Sequence, residues 1–414
     1  MKNFIFAYCL FTALLFFCIT AILGINYGGS EESSLYVYYC IATFLIVLFT
    51  FFKNYSFHRI RKSNLHIFFV AFMYLLAAIL SGLWSDKSFL CYSAFCIPSI
   101  CVGVYYGNKG GFGDIVKWLD VILWIVTLSM VFLTARFITS MNLGDRSYSQ
   151  TLSYYSALAF LLDLFLVAYG KDYERFGIFE RKLFKIISYV FLLIYPLMVL
   201  FSGGRGGFVT ILVGFVVFIL TLNMKRARHI IFIGAALLLL GLGLSSVFLD
   251  NASVEKVDDF QRNTNRVFAY LSSDGIDMSE TSGRDYVYTK TWQLIGDNPI
   301  GYGLFSYKKI YRQVVDQPYP HNIFLEWLIQ GGFLLFFLWF FFLVSILLKC
   351  HKLRKKGVLS PLFYPFLVYP LTQLMFSASY LEEPFFWFSI TFIYVFNSTK
   401  DKRIVYNQPL ASNS

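Results

Sequence analysis

The chain has 414 residues, 57% hydrophobic and only 14% charged, with a formal net charge of +11. A soluble domain holds about 25% charged residues, so this composition excludes an ordinary soluble enzyme. The apolar residues fall in long runs near the roughly 20 residues a helix needs to cross a bilayer core. They do not alternate with polar residues as the strands of a membrane barrel would. The expected fold class is therefore an all-α polytopic membrane protein.

The first run, FIFAYCLFTALLFFCITAILGI, is longer than the apolar core of a signal peptide. No small-x-small cleavage site follows it, so it reads as a retained first span. Twelve spans are predicted in all, at about 3–24, 36–52, 67–84, 89–106, 116–135, 152–169, 186–202, 208–224, 230–249, 329–348, 361–378 and 385–397. The predicted organisation is 1–249 for spans one to nine, 250–328 for an outer loop domain, 329–397 for spans ten to twelve, and 398–414 for a tail.

Basic residues set the orientation. Arg59, Arg61 and Lys62 gather in one short connection, Arg175, Arg181, Lys182 and Lys185 in another, and Lys352, Arg354, Lys355 and Lys356 in a third. All three lie on the same side of the predicted bundle. The short connections on the other side hold only Lys87, Arg136, Arg146 and Arg205. Positive charge accumulates on the cytoplasmic side, which predicts cytoplasmic N- and C-termini. The same rule accounts for the net charge without nucleic acid. The cysteines at 9, 18, 40, 91, 96, 101 and 350 form neither a disulfide framework nor a CxxC metal pattern. No metal or cofactor is expected.

Arg205 stands in the turn SGGRGG between spans seven and eight. One reading is an arginine that snorkels to the headgroups. The other is an anion site. Gly204 and Gly206 beside it strip away side chains, and the N-terminus of span eight points its free N–H groups the same way.

The outer loop, about 250–328, is rich in aromatics and reads as a partly helical lid rather than a disordered linker. Within it GRDYVYTKTWQLIGDNP reads as a helix that starts at Ser282 or Gly283 and closes at Gly296 and Pro299. Arg284, Tyr288 and Trp292 share one of its faces. Arg284 in the first turn opposes the helix dipole unless an anion is present. Arg266 and Arg312 add local positive charge, although the loop as a whole is not basic. His321 is the only histidine predicted on the outer face. It opens the short helix HNIFLEWLIQ that leads into span ten, and no second His or Cys stands near it at metal-ligand spacing. It reads either as a capping residue or as a general base that titrates near neutral pH. Glu326 and Asp316 are the acids close enough in sequence to orient it, though five residues along one helix is poor geometry for Glu326.

SGGRGG between two spans, GRDYVYTKTW followed by NPIGYG in a long outer loop, and PHNIFLEWLIQGG at that loop's exit together resemble the O-antigen ligase and polymerase superfamily of bacterial envelope glycan assembly. The motifs cover about 200–335 and the topology covers the chain. The resemblance implies a helical bundle of the GT-C type in the inner membrane, with its active site at the periplasmic face. It implies metal-independent, inverting transfer of a glycan from undecaprenyl diphosphate to an acceptor sugar hydroxyl. It implies as partners a lipid-linked oligosaccharide, an acceptor glycan, the lipid bilayer and a chain-length regulator protein.

Carried onto this sequence, the resemblance makes Arg205 and Arg284 the residues that contact the diphosphate. It makes His321 the base or positioning group for the acceptor. Gly204, Gly206, Arg266, Tyr288, Arg312 and Asn322 are the further residues expected to bind diphosphate and glycan. A polymerase joins the chain to another lipid-linked repeat, and a ligase joins it to lipid A core; polymerase is the first reading here. A polysaccharide transporter or flippase is the reading of another class. It would place charged groups within spans, for which only Asp120 and Asp163 are the main candidates.

Overall fold

A computed structural model describes residues 2–23, 30–54, 64–83, 86–111, 113–140, 146–202, 204–222 and 284–396. Among these residues the principal elements are helices: α1 (Lys2–Leu23), α2 (Ser30–Asn54), α3 (Leu65–Leu80), α4 (Lys87–Lys109), α5 (Gly113–Ser140), α6 (Arg146–Tyr169), α7 (Lys182–Ser202), α8 (Arg205–Thr221), α9 (Arg284–Asp297), α10 (Tyr307–Val315), α11 (Ile323–Lys355), α12 (Tyr364–Phe376) and α13 (Pro384–Val395). Every predicted span that falls on described residues carries a helix. The ninth span, 230–249, lies outside them, as do the first part of the outer loop, Arg266 and the tail. Among the described residues six helices are long and apolar enough to cross a membrane, namely α1, α4, α5, α6, α7 and α11. Shorter apolar helices accompany them.

Small residues and prolines set the packing. Helix α4 carries Gly103 and Gly107 four residues apart, on the face that meets α13. A Cβ at Gly103 would lie 2.8 Å from the Phe388 carbonyl oxygen, and one at Gly107 would lie 2.7 Å from that of Phe392. Where lipid gives no hydrophobic drive between helices, close backbone approach through small residues supplies the attraction. Just before Pro98, α4 opens into a π-turn at Tyr92–Cys96, because the proline has no N–H for the ladder.

Helix α12 is the hub of the half that matters for function. It packs against α6, α8 and α13, and its residues from Tyr364 to Pro370 are all buried. Asp120 of α5 is buried and gripped by Arg175 through two bonds, Nε to Oδ2 at 2.8 Å and Nη2 to Oδ1 at 2.5 Å. That forked pairing neutralises one of the two acids that a transporter reading would use.

Helix α11 is broken at Gly331 and Gly332, so Ile323–Gln330 forms the short entry helix read from the sequence. The outer loop repairs the break. The amides of Tyr302 and Gly303 donate to the freed carbonyls of Ile329 and Gln330 at 2.9 and 2.7 Å. The crossing is tight: Gly332 has φ +61, and a Cβ there would meet the Pro299 oxygen at 1.9 Å. NPIGYG and QGG are therefore two sides of one contact.

Candidate active site

The site begins at the first turn of α8. Gly204 is extended and gives this helix no side-chain cap, and Arg205 is its first residue, half-buried. The glycines around it serve close packing on α6. A Cβ at Gly204 would lie 2.2 Å from Ser153 Cβ, and one at Gly206 would lie 1.7 Å from the Tyr154 hydroxyl. The space that the sequence reading gave to a ligand at these two glycines is thus filled by α6 side chains. Ser153 Oγ also donates to the Gly204 carbonyl at 2.8 Å.

The second part of the site comes from the loop's exit. Helix α9 is described from Arg284, the predicted start at Ser282 or Gly283 lying outside the described residues, and ends at Asp297 just before the Asn298–Gly301 turn. Its buried face is Val287, Thr291, Leu294 and Ile295. The line of Arg284, Tyr288 and Trp292 is therefore its rim, with Arg284 and Tyr288 half-buried and Trp292 exposed. His321 lies two residues ahead of α11 in a left-handed conformation, φ +57. Its ring is half-buried, with the Tyr319 ring 4.7 Å away in a T-shaped contact. Burial, and secondarily the charge of Arg284, push the His321 imidazole down to about 4. It is therefore neutral at physiological pH, below the near-neutral titration read from the sequence, and in this resting state a weaker base than an ordinary histidine. Arg284 thus stands near enough for its charge to act on the His321 ring.

Asn322 is the cap of α11. Its Oδ1 accepts from the amides of Phe324 and Leu325 at 3.0 and 3.3 Å, and its Nδ2 donates to the Met375 carbonyl at 3.3 Å. These bonds engage both ends of its side-chain amide in the fold. Arg312 is likewise engaged by the fold. It pairs with Asp86 at 2.6 Å, and Asp86 caps α4 by accepting from Ser88 N at 2.9 Å. Burial works against the ionised Asp86 carboxyl, but Lys308, the Ser88 amide and Arg312 together hold it below the usual carboxylate range.

One turn of α12 joins the two parts. Thr372 bonds Thr210 of α8 at 2.9 Å, and Met375, three residues on, receives Asn322. Thr210, five residues after Arg205, and Asn322, next to His321, are thereby bonded to the same stretch of one helix.

Sequence reasoning missed the polar cluster under the loop. Helix α10 buries Tyr307, Lys308, Tyr311 and Val315. Tyr307 donates to Glu326 Oε1 at 2.6 Å, and Ser379 donates to the same oxygen at 2.5 Å. Lys308 is fully buried, with Nζ 2.5 Å from Ser88 Oγ and 3.4 Å from Glu382 Oε1. A buried ammonium is tolerated only when paired in this way. The tyrosine spacing 307/311 was the available signal for α10, and a lysine on the inward face obscured it.

Residues 189–340 match the family model described as O-antigen ligase. The matched stretch runs from inside α7 to inside α11 and contains Arg205, Arg284 and His321. Over that stretch it supports the resemblance to the O-antigen ligase and polymerase superfamily. None of the curated proteins compared with the chain matches it. No solved structure matches it either. The apolar helices are those of a membrane protein, and the matched segment links it to the O-antigen ligases of lipopolysaccharide biosynthesis.

Proposed function

We propose that the protein is a polysaccharide polymerase of the inner membrane, with both termini cytoplasmic, twelve spans in a GT-C-like bundle, and its site open to the periplasm. It takes a glycan from undecaprenyl diphosphate and transfers it to the hydroxyl of a lipid-linked repeat. The observation that carries this reading is that Arg205, Arg284 and His321 all fall within the segment that matches the family, with the Arg284 charge acting on the His321 ring.

The chemistry follows from these groups. The acceptor hydroxyl oxygen attacks the anomeric carbon and a new C–O bond forms with inversion. The bond from that carbon to the diphosphate breaks, and its electron pair leaves with the diphosphate. His321 takes the hydroxyl proton. Negative charge grows on the leaving group, and Arg205 and Arg284 stabilise it with fork-shaped donors. The amides of the uncapped first turn of α8 add to that field. Tyr288, on the rim of α9, extends the same surface toward the glycan. The packed loop excludes water from the reaction.

The description of the matched family favours one second reading, a ligase that joins finished polymer to lipid A core. The lipopolysaccharide gel profile of a deletion strain separates the two. Core bearing a single repeat means polymerase. Bare core with lipid-linked polymer accumulating means ligase. An unchanged profile removes both. Full activity in EDTA is expected in either case.

A further inference from the structure

A general base needs a partner that fixes its ring, and the usual partner is a carboxylate or carbonyl on the second ring nitrogen. His321 has none among the described residues. Glu326, the acid nearest in sequence within its own helix, lies in the fold with its Oε1 held by Tyr307 and Ser379. Asp316 closes α10 with φ +56 and is exposed. The ring contact that His321 does make is with Tyr319, at 4.7 Å and 68°. Tyr319 is backed in turn by Lys308, whose Nζ lies 5.5 Å from its ring centre. That ammonium cannot drift. It is fully buried and bound to Ser88 and Glu382, and Ser88 Oγ donates to the same Glu382 oxygen.

We propose that Tyr319, held in place by Lys308, is the residue that positions His321. The inference rests on the proposed role of His321 as base. Four groups stand in series: the Glu382 carboxylate with Ser88, the Lys308 ammonium, the face of the Tyr319 ring, and the imidazole. Each contact in the series is directional. A cation sits over a ring because the ring face is electron-rich, and two rings prefer an edge-to-face approach for the same reason. An aromatic partner also suits this site. It fixes the imidazole without placing a second negative charge next to a diphosphate, and it leaves both ring nitrogens open to the substrate. The left-handed backbone at His321 is a conformation that L-residues seldom adopt unless their surroundings impose it. The Tyr319 contact is such a constraint.

The test uses the full-length protein in detergent, with a synthetic undecaprenyl-diphosphate-linked repeat as probe and release of undecaprenyl diphosphate as the rate. Tyr319→Phe keeps the ring and is expected within about threefold of the parent, as a conservative change that preserves the edge-to-face contact should be. Tyr319→Ala is expected to lower kcat by about 10- to 100-fold with KM for the donor nearly unchanged, the cost of misplacing a catalytic group by about 1 Å. If Tyr319→Ala does not fold, Tyr319→Leu replaces it, matching bulk without a ring. Lys308→Gln should lower kcat in the parent and add nothing in the Tyr319→Ala background, because coupled residues are not additive.

His321→Ala is run alongside. If it is inactive while Tyr319→Ala or Tyr319→Leu turns over at the parent rate, the positioning role is overturned and the base survives. An active His321→Ala overturns the base itself. Equal losses from Lys308→Gln in both backgrounds remove Lys308 from the series.

Discussion

Helices α8 and α11 start against the same turn of α12, yet their first turns are satisfied in opposite ways. Asn322 caps α11 with two bonds to its leading amides. Gly204 offers α8 no side chain at all. The same pair differs in backbone freedom. The approach to α11 is set by His321 in a left-handed conformation, whereas α8 is held by glycines jammed against Ser153 and Tyr154. The lesson is a division of labour between two helix ends. An end whose amides are already bonded can present a side chain in fixed orientation, and an end left bare can receive charge from outside. On this reading α11 delivers His321 and α8 receives the leaving group.

The largest test of that division is Arg205→Ala, expected to reduce transfer by about 100- to 1000-fold, as for loss of one transition-state donor. The protein should remain in the membrane at the parent level by immunoblot; loss of the protein itself would make Arg205 structural. Arg284→Lys keeps a charge but loses the fork, and is expected to lower kcat/KM by about 10- to 100-fold. Parent-like turnover would mean no direct contact with the diphosphate.

Gly206→Ala probes the packing half of the contrast. It should destabilise by about 1–3 kcal/mol through overpacking, and Tyr154→Ala in the same chain should recover much of the lost thermal midpoint. If the double variant is no more stable than Gly206→Ala, the glycine has a role other than closeness to α6. Asn322→Ala should cost about 1 kcal/mol as a lost cap, and Asn322→Ser should restore it. Loss of transfer in the serine variant at parent stability would instead make Asn322 a substrate ligand.

The smallest effect is in pH. Burial and Arg284 lower the His321 pKa to about 4, so the unfolded chain binds the proton first as pH falls. The neutral imidazole is fully present above its ordinary value of about 6.5, and its contribution to stability declines between about 6.5 and 4. The acid limb of kcat/KM, which reports the free enzyme, is expected near 4. Removing the positive charge with Arg284→Gln should move that limb upward, while burial keeps it below the ordinary histidine value. An unmoved limb would separate the two residues.

Much of the fold was legible because the signals were long. Spans such as α1, α7 and α11 carry enough apolar length to be read without their neighbours, and HNIFLEWLIQ was read as a short helix of its own, although span ten was drawn across the break at Gly331 and Gly332. The site was legible in its chemistry but not in its economy of roles. Nothing in SGGRGG says whether glycine leaves room for a ligand or for Tyr154, because both demand the same missing Cβ. Likewise PHN does not reveal that its asparagine caps the helix while its histidine leans on Tyr319. Arg312 read as one more cation in the loop, since its partner Asp86 lies far away in sequence at the end of another span. Contacts between distant segments decide such cases, and a single chain of letters does not contain them.

The seam at Gly331 and Gly332 has a consequence for exchanging parts between relatives. The carbonyls opened there by the kink are answered by Tyr302 and Gly303, which belong to the loop rather than to the helix. A chimera that took α11 from one parent and the loop from another would break the seam wherever the two turns did not match. It would leave backbone oxygens bare at the rim of the membrane, where few other donors are to hand. The heritable module is therefore the turn from Asn298 to Gly303 and the break at Gly331 and Gly332 as one cassette, and graft points belong before Asn298 or beyond the break.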